Sequence, residues 1–90
     1  MNRAELITAV AERADLSKKD VATMVNAMEQ TIAEQLNAGE KVTLTGFGTF
    51  EVREREARTG RAPRTGETIQ IAASRNPVFK AGKAFKDAIK

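Results

Sequence analysis

Ninety residues with a formal net charge of +3, no cysteine and no histidine describe one small domain without disulfides and without the usual zinc ligands. The same absences remove the commonest catalytic nucleophiles and bases, no Gly-rich phosphate loop is present, and no apolar run approaches the ~20 residues of a bilayer span. The sequence therefore predicts a soluble, cytoplasmic, non-enzymatic protein with no cofactor, no metal, no small-molecule substrate and no membrane partner.

The first element is a helix of about three turns. Asn2 followed by Glu5 fits an N-cap with an acidic residue three positions on, and Leu6, Ile7, Val10, Ala11 and Ala14 recur at helical spacing. Ser17 with Asp20 repeats the cap signal. The stripe Val21, Met24, Val25, Met28, Ile32 and Leu36 then predicts a second helix to about Ala38, closed by Gly39. Residues 1–40 form a helical hairpin, read here as a dimerisation base.

After Gly39 the apolar period changes from 3.6 to 2. Lys41 to Thr45 and Phe50 to Arg53 alternate as antiparallel strands around a Gly46-Phe47-Gly48 turn. The alternation continues through Glu54, Arg55, Glu56 and Arg58 to a tip at residues 59–66, and Glu67 to Ile71 returns as a strand. Residues 53–75 are thus predicted to project as a continuous two-stranded arm, within a β-saddle over 41–80. From Arg53 to the tip, about ten residues at ~3.3 Å each give a reach of ~30 Å. Asn76-Pro77-Val78-Phe79 brings the chain back, and 81–90 supply a short C-terminal helix with Phe85 and Ile89 inward and Lys83, Lys86 and Lys90 in water. The predicted fold is α+β: an N-terminal helical hairpin, a three-stranded antiparallel sheet with a long β-ribbon arm, and a short C-terminal helix, all in one domain over 1–90.

Twenty arm residues leave a thin core for so short a chain, and chains of this size need a staple. Without disulfide or metal, a second copy is the staple that remains. Phe47, Phe50 and Phe79, with Phe85 the only aromatics, are read as dimer core; the competing reading makes them the core of a monomer.

Charge is segregated along the chain. Residues 1–40 carry four Lys/Arg against seven Asp/Glu, whereas residues 41–90 carry eleven against five. Arg53, Arg55, Arg58, Arg61 and Arg64 fall within twelve positions, and 57–66 contain no acidic residue. The guanidinium fork stays protonated and matches phosphate oxygens, so this density points to an anionic polymer, with double-stranded DNA as the partner. Pro63 at the tip has two readings: a rigid apolar wedge between base pairs, or the residue that makes the turn. Arg75 and Lys80, Lys83 and Lys86 extend the basic surface; single lysines at such positions also serve solubility alone. Arg3, Lys18 and Lys19 extend it less directly.

The stretches MNRAELITAVAE, LSKKD, LTGFGTFEVRER, ARTGRAPRTGE and NPVFKAGKAFKDAIK together resemble the bacterial histone-like HU/IHF family of DNA-bending proteins over essentially the whole chain. The resemblance implies an intertwined homodimer, nucleoid-associated, whose arms embrace DNA through the minor groove. It implies that Pro63 intercalates, and that Arg53, Arg55, Arg58 and Arg61 with Lys80, Lys83 and Lys86 line the DNA path. This family is itself a standard instance of minor-groove wedging, so that generalisation adds no independent support. The tip departs from the family's usual Arg-Asn-Pro: here it reads Arg61-Ala62-Pro63, and Ala62 lacks the polar contacts of Asn.

The expected function is architectural: duplex DNA bound with little sequence preference, bent, and compacted. An IHF-like site-specific bender is the nearest alternative, with Gln70 the only amide side chain near the tip to read bases. RNA binding is disfavoured because the arm has no stacking aromatics. A dimeric scaffold docking acidic partners is the alternative of a different class.

Overall fold

The protein is described over residues 1–90 by a computed structural model. Its elements follow the order α1 (Arg3–Ala14), α2 (Lys18–Asn37), β1 (Val42–Leu44), β2 (Gly48–Arg55), β3 (Arg58–Arg61), β4 (Thr68–Ile71), β5 (Ser74–Ala81) and α3 (Lys83–Ala88). The chain divides into two compact units, Met1–Glu34 and Gln35–Lys90.

In the first unit both helix starts are capped as their sequences dictate. The Glu5 N–H donates to Asn2 Oδ1 at 2.9 Å, and the Asp20 N–H donates to Ser17 Oγ at 3.1 Å. Each side chain satisfies one of the donors a helix start leaves free. The end of α1 has no glycine. Asp15 takes the left-handed conformation there, φ 57° and ψ 47°, and its N–H reaches Ala11 O and Glu12 O. Asp is among the few non-glycine residues that visit this region readily. Arg3 pins the hairpin: its guanidinium donates to both Glu29 carboxylate oxygens, at 2.9 and 2.7 Å, and to Asn26 Oδ1. Ala11 and Val21 are buried, at 4% and 2% exposure.

The second unit begins with the last turn of α2, which closes as a Schellman motif. The Glu40 N–H donates to Gln35 O at 2.9 Å and the Gly39 N–H to Leu36 O at 3.0 Å. Gly39 sits at φ 81°, the left-handed value that this motif requires and that glycine alone adopts without cost. A three-stranded antiparallel sheet follows, in the order β1-β2-β5. Its tight connection is a turn in which the Phe47 N–H donates to Leu44 O at 2.8 Å, with Gly46 at φ 87°. The register pairs Phe50 with Val42 on one side and with Phe79 on the other. Alternation then sorts the sheet. Gly48, Phe50 and Val52 share one face with Ala81, Phe79 and Pro77, while Thr49, Glu51, Arg53 and Arg55 occupy the other.

The aromatics gather on the apolar face. Ring centroids lie 5.2 Å apart for Phe47 and Phe79, 4.7 Å for Phe47 and Phe85, and 4.8 Å for Phe50 and Phe79. Phe85, not counted among the interface aromatics by the sequence, belongs to the cluster through α3. The cluster stays open within one chain, since Phe47 and Phe79 are 42% and 39% exposed.

The arm departs from the continuous ribbon that the sequence predicts. Arg53 and Arg55 belong to β2 and Arg75 to β5, so the base of the arm is part of the three-stranded sheet. Beyond it, Glu56-Ala57 and Ala72-Ala73 interrupt both strands, and β3 and β4 pair as a separate two-stranded sheet. No large apolar side chain stands at any of these four positions, so nothing anchors a ladder across the break.

Gly48 is the tightest point of the sheet. A Cβ there would meet Phe79 Cζ at 2.4 Å and the Lys80 carbonyl oxygen at 2.6 Å. The ring can shift, but the β5 backbone cannot without losing its register. Gly48→Ala is therefore expected to lower stability by about 1–3 kcal/mol, the usual cost of overpacking. Urea unfolding measures it; a midpoint equal to that of the unsubstituted protein contradicts this account of the packing.

Candidate nucleic-acid interface

The polar face of the three-stranded sheet carries Thr49, Glu51, Arg53 and Arg55 from β2, paired with Lys80, Val78, Asn76 and Ser74 of β5. Lys41, just before β1, joins the same face, a position whose alternation with Val42 marks it in the sequence although it was not singled out there. Glu51 sits at the centre. Its carboxylate takes Lys80 Nζ at 2.8 Å on Oε1 and Lys41 Nζ at 3.4 Å on Oε2, and its side chain is 14% exposed. The Lys80 hydrogen bond holds the Glu51 carboxyl below its ordinary pKa, and the charges of Lys80 and Lys41 add to that against the opposing effect of burial.

The predicted cations separate into held and free groups. Lys80 is paired with Glu51, and Lys83 with Asp87 at 3.1 Å within α3. Arg53, Arg55, Arg58, Arg61 and Arg64 are exposed and make no ion pair in the chain, and neither does Lys86. Arg3 is engaged with Glu29, which it holds below the ordinary carboxylate range by hydrogen bonding.

The structure revises the sequence reading of Arg75. Its guanidinium is already occupied: Nη2 donates to Leu36 O at 3.1 Å and to Asn37 O at 3.3 Å, and Nε lies 3.3 Å from Glu54 Oε1. The acceptors at the end of α2 lie 39 and 38 positions away in sequence, so no local pattern announces them.

In the arm, Arg58 pairs with Ile71 and Gly60 with Ile69, while Thr59 and Arg61 pair with Gln70 and Thr68. Arg58 therefore shares a face with Ile69 and Ile71, and Arg61 shares the opposite one with Gln70. Ile71 Cδ1 lies over Gly60, where a Cβ would meet it at 2.8 Å. The tip is closed from within: the Ala62 N–H donates to Glu67 O at 2.8 Å and the Gly66 N–H to Ala62 O at 2.9 Å. Pro63, Arg64 and Thr65 form the turn between these bonds, so Pro63 gives up no ladder hydrogen bond and stands exposed at the end of the arm. This geometry serves the turn and presents an apolar ring at once. The described residues hold no group of three or more His, Cys, Asp and Glu placed to bind a metal, and no helix is long and apolar enough to cross a membrane.

Comparison with known proteins gives one consistent answer. The family model described as bacterial DNA-binding protein matches residues 1–90. The chain is 63% identical over 89 residues to the DNA-binding protein HU of Streptococcus thermophilus, covering 99% of this chain and 98% of that one. It is 59% identical over 90 residues to the DNA-binding protein HU of Staphylococcus aureus, covering all of both. Among solved structures, an Anabaena HU–DNA cocrystal superposes with a TM-score of 0.86 at 49% identity, covering 99% of this chain and 97% of that one. HU from Thermotoga maritima superposes with a TM-score of 0.70 at 37% identity over the full length of both.

The Glu51 arrangement has a pH signature. Its pKa is lowered on folding, so its contribution to stability is complete above the ordinary carboxylate pKa and disappears as pH falls through the lower folded value. Thermal melts of the unsubstituted protein and Glu51→Gln from pH 7 to pH 3 should show a gap favouring Glu51 at neutral pH that closes in acid. A gap independent of pH contradicts the assignment.

Proposed function

The chain belongs to the family of bacterial DNA-binding proteins, and from that premise we propose that it is a non-enzymatic, architectural protein of the cytoplasmic nucleoid that binds duplex DNA with little sequence preference and bends it. The observation that carries this reading is the group of five arginines from Arg53 to Arg64, exposed and without ion partners in the chain, on strands that lead to a proline tip. Their positive charge is uncompensated within the protein and spaced along an extended backbone, as a row of phosphates requires. Phosphate contacts position a protein on DNA without reading sequence, and the arm offers little else to read with.

The protein acts as a homodimer. One chain leaves Leu6, Val10, Leu16, Met24 and Met28 between 40% and 51% exposed in its helical unit, with Phe47 and Phe79 open in the other. Apolar surface of this extent on so small a protein calls for a partner, and a second copy places a second arm on the DNA. The open Phe47, Phe50 and Phe79 cluster supports their place in that interface.

Within each subunit, Arg53 and Arg55 meet the backbone at the sheet, Arg58, Arg61 and Arg64 along the arm, and Lys80, Lys83 and Lys86 beside them. Lys80 and Lys83 leave Glu51 and Asp87 to do so, which weakens their net share. Pro63 enters the minor groove and wedges between base pairs, where its ring needs no hydrogen-bond partner. Ala62 adds no polar contact there, so the kink rests on the wedge and on the flanking arginines.

A random-sequence duplex with fluorophores at both ends tests this reading when titrated at several salt concentrations. Anisotropy should report binding that weakens steeply with salt, by about 0.9 in logarithmic slope for each phosphate engaged. Energy transfer should report shortened ends, and shuffling the sequence should change little. Reversing both tip charges, Arg61→Glu with Arg64→Glu, should abolish the shortening. Binding without shortening reduces Pro63 to a turn residue, and no binding at low salt removes DNA as the partner.

A further inference from the structure

We propose that Arg75 is a positioning residue that fixes the root of the arm to the end of α2, and that it sets the shape of bound DNA and not the number of phosphates held. The proposal rests on the DNA-bending reading above. It starts from a deficit in α2. The last turn of a helix leaves carbonyl oxygens without intrahelical donors and accumulates negative partial charge, which basic side chains normally offset. The last turn of α2 contains no basic residue. The Schellman bonds from Gly39 and Glu40 satisfy Leu36 O and Gln35 O and leave Asn37 O outside the motif.

Arg75 supplies what α2 lacks from the opposite end of the unit. One nitrogen, Nη2, is shared between Leu36 O and Asn37 O. A second, Nε, faces Glu54, the register partner of Arg75 across β2 and β5. The planar fork can serve the helix end and the carboxylate together because its donors point in fixed directions. Glu54 and Arg75 are the next-to-last pair of the three-stranded sheet, immediately before the interruption at Glu56-Ala57 and Ala72-Ala73. Beyond them the β3–β4 sheet has no comparable polar anchor to the rest of the unit. The direction in which the arm leaves is therefore decided at this pair.

A guanidinium committed in this way does not reach phosphate. Arg55, one position beyond Glu54 and on the opposite face, has no such commitment and is the natural control.

The test compares the unsubstituted protein, Arg75→Ala, Arg75→Lys and Arg55→Ala on the doubly labelled duplex. For Arg75→Ala, the slope of log affinity against log salt should match the unsubstituted protein, while energy transfer at saturation should fall and its distribution broaden. Arg55→Ala should lose about 0.9 in slope, the value of one phosphate contact. Arg75→Lys keeps the charge but not the fork, so it should retain the slope and fail to restore the energy transfer. It also serves if Arg75→Ala does not fold, which circular dichroism will show. A loss of about 0.9 in slope for Arg75→Ala, or unchanged energy transfer in both Arg75 variants, overturns the proposal. Failure of the unsubstituted protein to bend the duplex overturns the function itself, a separate outcome.

Discussion

The antiparallel register of β2 with β5 is the constraint on which the rest of the second unit depends. Eight consecutive pairs, from Gly48 with Ala81 to Arg55 with Ser74, decide which side chains meet. Because strand residues alternate faces, a slip of one position would send Phe50 and Val52 to the basic face and Glu51 and Arg53 to the aromatic one. Pro77 lies inside this ladder without breaking it, because β5 is an edge strand bonded to β2 alone. The aromatic cluster makes the register costly to leave. Phe79 packs over Gly48, and only glycine there leaves room for the ring. Small residue and large ring are thus parts of one device, and the basic face is its consequence.

That device does not complete a core. Ala11, Val21 and Leu36 are the only apolar residues that one chain buries fully. The exposed Leu, Val and Met of the helical unit and the half-open phenylalanines have no other cover within the chain. Association and function are therefore physically linked: the apolar surface that a single chain cannot bury is what brings a second arm to the same DNA. A monomer would carry the same arginines with one arm and a marginal core.

Local chemistry made much of this fold legible in the sequence. The caps at Asn2 and Ser17, the Gly39 helix end, the glycine turn around Phe47 and the alternation of β1 and β2 each depend on residues within a few positions, and sequence displays such neighbours directly. The left-handed Asp15 was not visible, because Asp only tolerates that conformation and does not announce it. The interruption of the arm was not visible either. Alternating charges from Arg53 to Arg58 look alike whether or not a partner strand follows them, and pairing depends on residues 68–81 across the tip. The commitments of Arg75, Lys80 and Arg3 were hidden for the same reason: their partners stand 39, 29 and 26 positions away. Composition counted these side chains correctly as basic but could not tell a cation already paired from one still free.

That distinction explains how one chain combines a stable sheet with a sticky arm. At the root, Glu51 and Glu54 lie among cations and compensate them, so the sheet folds without strong self-repulsion. From Ala57 to Gly66 no acidic residue does so. Neighbouring arginines there stand within about 10 Å of one another at ~3.3 Å per residue, comparable to the Debye length of ~10 Å at 0.1 M salt, so their repulsion is only partly screened. The arm tolerates this because it is exposed to water and packs against no core that repulsion could disrupt. A phosphate backbone replaces each repulsion with an attraction and releases condensed counterions. The segment least able to stabilise itself is thereby the one that gains most from DNA, and its placement beyond a compensated, register-locked root lets that gain be spent on bending instead of on folding.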